Sequence, residues 1–161
     1  GPVDPGTALV RATIDRIPEV LIESLDLIER GAATWTPQNL DERTFFHKRS
    51  ARDSLIDWRW SAAELDRFVR ALSDPYPNAV TYYRGERIRI LKAAVSRYRY
   101  GGTPGRVFIA EGDGMVIVTG AEAHRGQEPG LVIHRVRLDD GTELPALEYF
   151  GRGGGYLTDR P

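Results

Sequence analysis

The sequence predicts a mainly β protein: a small barrel of five or six short strands, with one helix at the N-terminus and a second just before the barrel. From residue 79 onward, short runs of β-branched and aromatic residues alternate with glycine turns, which is typical of a small barrel. Before residue 79, apolar residues recur at helical spacing in two segments. The predicted strands are 80–83, 87–95, 106–110, 115–119, 131–138 and 143–148.

The first helix is predicted over residues 7–31. Its apolar residues recur every three or four positions, so they share one face; they are Val10, Ile14, Ile17, Leu21, Leu25 and Ile28. Asp4 or Thr7 is expected to cap its start and Gly31 its end. Pro18 is expected to kink or split it, because proline removes a backbone donor. We assign residues 1–31 to this helix.

Residues 32–55 lose the helical periodicity and are predicted to be a linker. Its aromatic residues, Trp35, Phe45 and Phe46, are expected to hold it against the surface at intervals.

A capping box, Ser61-Ala-Ala-Glu64, predicts the start of the second helix. Two prolines in the segment 74–77 end this helix. The barrel is assigned to residues 56–150, and the glycine-rich residues 151–161 are expected to form a flexible tail.

Composition narrows the class of protein. The chain has 161 residues, 41% hydrophobic and 28% charged, which describes one soluble globular domain. No apolar run approaches a membrane span and no leader is evident, so a cytoplasmic protein without membrane contact is expected. Cysteine is absent, and the net charge of -1 offers a polyanion no global attraction. The opening Gly1-Pro2 resembles the remnant of a cleaved tag, which predicts a longer natural protein.

The residues offer no catalytic constellation and no metal site. The three histidines, His47, His124 and His134, are scattered, and none has a partner at ligand spacing. The glycine-rich stretch 98–105 is not a phosphate loop, because a strand rather than a helix follows it.

A run of basic and aromatic residues is the strongest candidate for ligand contact. If Ile88 and Ile90 point into the core, Arg87 and Arg89 emerge together on the outer face. Tyrosines further along the run could stack on bases or rings. The alternative is a solvated face that discourages edge pairing. The candidates for contact with an acceptor or RNA are Arg84, Arg87, Arg89, Lys92, Arg97, Tyr98, Arg99, Tyr100 and Arg106.

Several motifs resemble the C-terminal domain of the methionyl-tRNA formyltransferase-like, 10-formyltetrahydrofolate-dependent formyltransferases. They begin with Ile56-Asp57-Trp58, the second helix and the 73–77 segment, and they continue through 84–92, 112–114 and 141–149. The first helix and Thr36-Pro37-Gln38 resemble that family's last catalytic-domain helix and interdomain linker.

This resemblance implies an oligonucleotide-binding-like barrel that follows a Rossmann-type catalytic domain. That domain would bind 10-formyltetrahydrofolate and transfer its formyl group to an amine. The family's catalytic asparagine, histidine and aspartate lie upstream of this chain, so the chain is expected to be inactive alone and to bind no cofactor itself. The family usually has glycine where Asn78 stands, and asparagine tolerates the same positive φ.

Three functions stay open. The first is an accessory domain for a small amine acceptor, such as an amino-sugar nucleotide, a hydroxylated ornithine or a carrier-bound amino acid. The second is the tRNA-binding domain of a methionyl-tRNA formyltransferase. The third is a stand-alone binding or assembly module.

The resemblance also predicts the fate of the first helix. Its apolar face would lose its catalytic-domain partner, so the helix is expected to fold back on the barrel or to pair with a second copy.

Overall fold

The computed structural model describes residues 5–161; Gly1, Pro2 and the predicted cap Asp4 lie outside this range. Three α-helices are present: α1 (Gly6–Glu29), α2 (Ala62–Ala71) and α3 (Ala146–Phe150). Short 3-10 turns lie at Leu40–Glu42, Ala51–Ser54 and Ala123–Arg125.

Seven strands form one antiparallel sheet in the order β3-β4-β5-β2-β1-β7, with β6 paired to β5. The predicted mainly β fold, with one helix at the N-terminus and another just before the sheet, is confirmed. The strands are β1 (Ala79–Tyr83), β2 (Glu86–Tyr100), β3 (Val107–Glu111), β4 (Gly114–Ile117), β5 (Glu128–Leu138), β6 (Glu143–Pro145) and β7 (Leu157–Thr158).

The closed barrel of five or six strands needs correction. The strands β3 and β7 are the two ends of the ladder, and a single bridge, Arg106 to Tyr156, joins the segments beside them. Backbone hydrogen bonds from Leu157 to Gly105 (2.8 Å) and from Gly154 to Val107 (2.9 Å) support that bridge. The ladder stays incomplete because glycines 153–155 adopt positive φ angles, which interrupt an extended strand.

The C-terminal residues 151–161, expected to be a flexible tail, pack against the sheet. Leu157 is 3% exposed, and β7 pairs with Tyr82 and Tyr83 of β1. The hydroxyl of Tyr83 donates to the Gly154 carbonyl at 2.8 Å.

The strand predicted at 143–148 is also shorter than expected. It ends at Pro145, which cannot donate to a ladder, and α3 begins at the next residue. Phe150, at the end of α3, is buried edge-to-face against Tyr83. Tertiary packing of this aromatic side chain explains a helical turn that local sequence did not predict.

Helix α2 closes one side of the core. The predicted capping box is present: Ser61 Oγ accepts from the Glu64 amide, and Glu64 accepts from the Ser61 amide at 2.9 Å. Leu65, Val69 and Leu72 are buried against the sheet. Burial of such a side chain stabilises the fold by about 1.5–3 kcal/mol.

The turn after α2 depends on Asn78. Its φ of 63° confirms that asparagine fills the glycine position. The side chain is buried, donates to the Leu72 carbonyl at 3.2 Å and accepts from Arg137 at 3.0 Å. Arg137 in turn forms a bidentate pair with Asp74. This network fixes the 73–78 turn against β5.

Helix α1 does not fold back on the sheet, which corrects that expectation. None of its described residues is buried, and Ile14 and Leu21 are more than half exposed. Near its start, Thr7 lies 3.4 Å from the Ser73 hydroxyl, but it does not cap the helix. Pro18 does not split the helix, and pairing with a second copy stays a prediction.

The linker aromatic residues are not held against the surface. Trp35, Phe45 and Phe46 are 84%, 82% and 92% exposed. None of the helices described in the chain is both long and apolar enough to cross a bilayer.

Candidate anion-binding cleft

The nine predicted contact residues do not form one cluster. Most of them lie on β2, and the twelve positions from Arg87 to Arg99 extend about 40 Å at 3.3 Å per residue if the strand is straight. The structure brings together two subsets, one at each end of β2. It leaves Arg84, Lys92, Arg99 and Arg106 apart from both.

Arg87 and Arg89 form the first subset. Ile88 and Ile90 are fully buried, so the two arginines project to the outer face, as the alternation predicts. One oxygen of Asp139 accepts from Arg87 Nε at 2.9 Å and from an Arg89 terminal nitrogen at 3.0 Å. The hydrogen bonds from Arg87 hold the pKa of Asp139 below its ordinary value, so this carboxylate stays ionised at neutral pH.

A tight turn sets this arrangement. Arg84 and Gly85 both have positive φ (52° and 85°), which is the two-residue hairpin geometry that matches strand twist. The resulting register places Tyr82 opposite Arg87 and Val80 opposite Arg89. Cross-strand partners share a face, so Tyr82 lies beside the arginines.

A third arginine approaches from the linker side. Arg52 lies in the 3-10 turn Ala51–Ser54, where Asp53 accepts from the Ser50 amide at 2.6 Å and stabilises the turn. The Ile56 amide donates to the Val80 carbonyl at 2.9 Å, which aligns this segment with β1.

Together these elements enclose two adjoining clefts. The first, which we call the arginine cleft, has a volume of about 390 Å³ and is lined by residues including Arg52, Ser54, Leu55, Tyr82, Arg87 and Arg89. The second, the Asp139 cleft, has about 460 Å³ and is lined by Tyr82, Gly85, Glu86, Arg87, Leu138, Asp139 and Asp140. The two clefts have Tyr82 and Arg87 in common, so they adjoin at these residues, and we call the pair the groove.

The second subset lies at the far end of β2. Glu111 accepts from Ser96 at 2.5 Å and from the Tyr100 hydroxyl at 3.0 Å, across an irregularity in the β2–β5 register. Burial, together with the bond to Glu111, raises the pKa of Tyr100, which stays a neutral donor. Arg97 lies over the exposed Tyr98 ring, 5.4 Å from its centroid. We call Arg97 and Tyr98 the Tyr98 platform.

The remaining candidates have local partners elsewhere. Arg84 lies over Tyr83 at 5.0 Å and Arg106 over Tyr156 at 5.1 Å. Arg99 donates to the Gln127 carbonyl at 2.5 Å. Lys92 lies near Asp113, whose carboxylate contacts His134 at 2.8 Å.

The histidines remain apart in space. His47 contacts the Lys48 carbonyl at 2.9 Å, and His124 lies 4.0 Å from Glu122. Within residues 5–161, no three histidine or acidic side chains are grouped as metal ligands.

Sequence reasoning missed Arg52, Tyr82 and Asp139. The β alternation could have identified Tyr82, which lies two positions from Val80 on the same face. Asp139 follows the predicted strand 131–138, and Arg52 lies in the predicted linker, a segment without periodicity. Their contacts with the arginines join distant parts of the chain, so no local signal indicates them.

Comparison with known proteins identifies relatives of this chain. Residues 48–153 match the family described as formyl transferase, C-terminal domain. A methionyl-tRNA formyltransferase from Roseiflexus castenholzii is 34% identical over 140 residues, covering 87% of this chain and 42% of that protein. Another from Roseiflexus sp. strain RS-1 is 37% identical over 102 residues, covering 63% of this chain and 31% of that protein. The chain thus spans less than half the length of these relatives.

A solved structure of HypX from Aquifex aeolicus, in complex with tetrahydrofolic acid, has a TM-score of 0.55 to this chain. Its sequence is 23% identical, and the match covers 84% of this chain and 22% of that one. At this identity the likeness shows a shared fold.

Proposed function

The chain belongs to the formyltransferase C-terminal domain family, and on that premise we propose that it is the non-catalytic, acceptor-facing part of a 10-formyltetrahydrofolate-dependent formyltransferase. The parent enzyme would transfer the formyl group to the amine of a small acceptor, such as an amino-sugar nucleotide or a hydroxylated ornithine. The family match over residues 48–153, to a C-terminal domain, supports this role.

The arginine cleft is the observation that supports acceptor contact. Arg52, Arg87 and Arg89 line it together, and only Asp139 pairs with them among the described residues. Guanidinium groups bind phosphate and carboxylate through paired N–H donors, which fits an acceptor that carries an anionic group. Positioning that group would orient the amine without any chemistry by the barrel itself.

Charge pairing elsewhere favours a small acceptor over a polyanion. Arg137 pairs with Asp74 and Glu143, Arg59 with Asp57, and Arg97 lies 3.9 Å from Glu111. These ion pairs neutralise three arginines and so interrupt the extended basic track that a nucleic acid backbone requires.

The exposed elements fit a missing catalytic domain. The apolar face of α1 and the exposed linker aromatic residues would pack against that domain, which would also supply the folate site and the catalytic side chains. Under this proposal, 10-formyltetrahydrofolate binds the parent enzyme and not this chain. Folate-dependent transfer also leads us to expect a cytoplasmic parent enzyme.

Kinetics of the intact parent enzyme test this function. R52Q and R87Q each remove a charge-assisted contact worth about 1.5–3 kcal/mol, so the KM for the acceptor should rise about 10- to 150-fold. The kcat and the KM for 10-formyltetrahydrofolate should change less than about twofold. R125Q is the control, because Arg125 is exposed and lines neither cleft. Unchanged acceptor KM in both cleft variants would overturn the assignment.

A tRNA acceptor is the second candidate function. It is favoured by the names of the two Roseiflexus relatives and by the Tyr98 platform, where an arginine and an exposed tyrosine offer a stacking surface. It predicts a gel shift of the chain with tRNA at low salt that weakens steeply as salt rises, by about 0.7–0.9 log units of affinity per log unit of salt for each phosphate. No shift at low salt would exclude it.

A further inference from the structure

The groove formed by the arginine cleft and the Asp139 cleft has opposite charges at its two ends. The arginine end carries three guanidinium groups against one shared carboxylate. The other end is lined by Glu86 and Asp140, beside that shared carboxylate. A ligand that fits this groove therefore bears its negative charge at one end and hydrogen-bond donors at the other.

The arginine end has unused donor capacity. Both hydrogen bonds of Arg87 to Asp139 come from Nε, which leaves its terminal N–H groups available. Arg52 is exposed and takes part in none of the ion pairs among residues 5–161, although it also borders a further cleft that contains Asp57 and Asp159. Three guanidinium groups and one carboxylate leave two net positive charges, which match a diphosphate linkage with one charge on each phosphate.

The side of the groove that the two clefts have in common suits a flat ring. Tyr82 borders both clefts, and Leu138 adds apolar surface to the acidic half. A nucleobase stacks on a tyrosine ring, and such stacking contributes about 1–3 kcal/mol. Both oxygens of Asp139 already accept from Arg87. The carboxylate of Asp140 can accept hydrogen bonds from the hydroxyls of a ribose. Hydrogen bonding from Thr142 lowers the pKa of Asp140, so it is ionised near neutral pH.

We propose that this groove binds a nucleoside diphosphate group, with the diphosphate at Arg52, Arg87 and Arg89 and the nucleoside along Tyr82 toward Asp139. This inference rests on the proposed function, and it selects nucleotide-linked amines among the small acceptors. Each cleft falls within the range of about 300–1,000 Å³ typical of small-molecule sites.

An RNA strand carries phosphates as a nucleoside diphosphate group does, but it distributes its negative charge along its whole length. Its backbone would continue past the arginines and across Glu86 and Asp140, where like charges repel it. A nucleoside diphosphate group has its phosphates at one end, so it avoids this repulsion.

Calorimetric titration of the 161-residue chain tests the proposal. The probes are uridine, thymidine, adenosine and guanosine diphosphates, with uridine, inorganic pyrophosphate, a single-stranded oligonucleotide and tRNA as comparisons. At least one nucleoside diphosphate should bind more tightly than pyrophosphate or the free nucleoside. R52Q and R87Q should each weaken that binding about tenfold or more, which corresponds to about 1.4 kcal/mol.

Two further variants distinguish the loss of stacking on Tyr82 from a loss of the folded structure. Y82A should weaken nucleoside diphosphate binding but leave pyrophosphate binding unchanged, whereas Y82F should retain both. R125Q should bind as the unmodified chain does. Thermal unfolding of each variant shows whether it is folded, and Arg52 is the cleanest position because it is exposed and unpaired among the described residues.

Clear outcomes overturn the proposal. These are no nucleoside diphosphate binding up to about 5 mM, binding that R52Q and R87Q leave intact, or binding of tRNA or oligonucleotide without any nucleoside diphosphate. If binding fails while R52Q still raises the acceptor KM of the intact enzyme, the proposed function stands and only the nucleotide assignment falls.

Discussion

At the scale of single residues, Asn78 shows how a departure from a family pattern can be accommodated. Its positive φ satisfies the backbone, and its amide adds hydrogen bonds to Leu72 and Arg137 that glycine cannot make. The conformation could be predicted from residue type alone. The hydrogen bonds could not, since Arg137 is 59 positions away.

Substitutions at Asn78 separate these two contributions. N78G keeps the backbone freedom but loses the buried hydrogen bonds, so the free energy of unfolding should fall by about 1–2 kcal/mol. N78A loses them too and adds the strain of a Cβ at positive φ, for about 1 kcal/mol more. Urea denaturation measures both. Equal stability of the alanine and glycine variants would contradict the backbone account.

Asp74 gives a pH dependence with a defined sign. The hydrogen bonds from Arg137 lower its pKa in the folded state, so its contribution to stability is present above the unfolded pKa of about 3.9. That contribution is lost as pH falls through the folded pKa. D74N should therefore lose less unfolding free energy than the unmodified chain between about pH 5 and pH 2.

Denaturation at a series of pH values measures this fall in unfolding free energy at acid pH, which we call the acid limb. D41N, in the exposed turn Leu40–Glu42, is the matched control and should behave as the unmodified chain. An acid limb that D74N leaves equally steep would show that other carboxylates control it.

At the scale of elements, α2 has its start encoded locally. Ser61 and Glu64 each accept from the backbone of the other, and this pattern is readable from four residues. S61A should lower the free energy of unfolding by about 1 kcal/mol, and S61D should largely restore it, because both serine and aspartate cap well. An S61A variant with an unchanged free energy of unfolding would show that packing of α2, not its cap, fixes the helix start.

Other elements depend on contacts that local sequence does not contain. The β1 and β5 strands were predicted nearly whole, since each contains a short apolar run that the fold buries. The helix α3 and strand β7 were missed because Phe150 and Leu157 are fixed by packing against the distant β1 and its surroundings. Strand β2 continues to Tyr100 because its end is held to β3 through Glu111.

At the scale of the whole molecule, the two termini should contribute very differently to stability. Deletion of residues 1–46 removes α1 and most of the linker, which bury no side chain, so the free energy of unfolding should change by less than about 1 kcal/mol. Deletion of residues 151–161 removes buried Leu157 and the partners of Thr81 and Tyr83, and it should cost about 3 kcal/mol or more.

Urea denaturation of both truncated chains decides this prediction. A stable chain without its last eleven residues would mean that the sheet does not need β7 or the bridge at Tyr156. A strongly destabilised chain without its first 46 residues would mean that α1 has a partner within the same molecule.

The site was only half predictable from sequence. Clustering of Arg87 and Arg89 followed from strand alternation, but the full set of nine residues was treated as one patch. The length of β2 and the counterions Asp139 and Glu111 divide it, and these are long-range features. Arg52 enters the groove through the pairing of its segment with β1, which no periodicity announces.

The most direct test of the central claim is the rate of tetrahydrofolate release from 10-formyltetrahydrofolate in the presence of nucleotide-linked and other small amines. It should be measured for the full-length natural protein and for the 161-residue chain. The account predicts turnover by the full-length protein and only background release by the chain. Transfer by the chain alone at a comparable rate, or no transfer by the full-length protein to any amine or aminoacyl-tRNA, would contradict it.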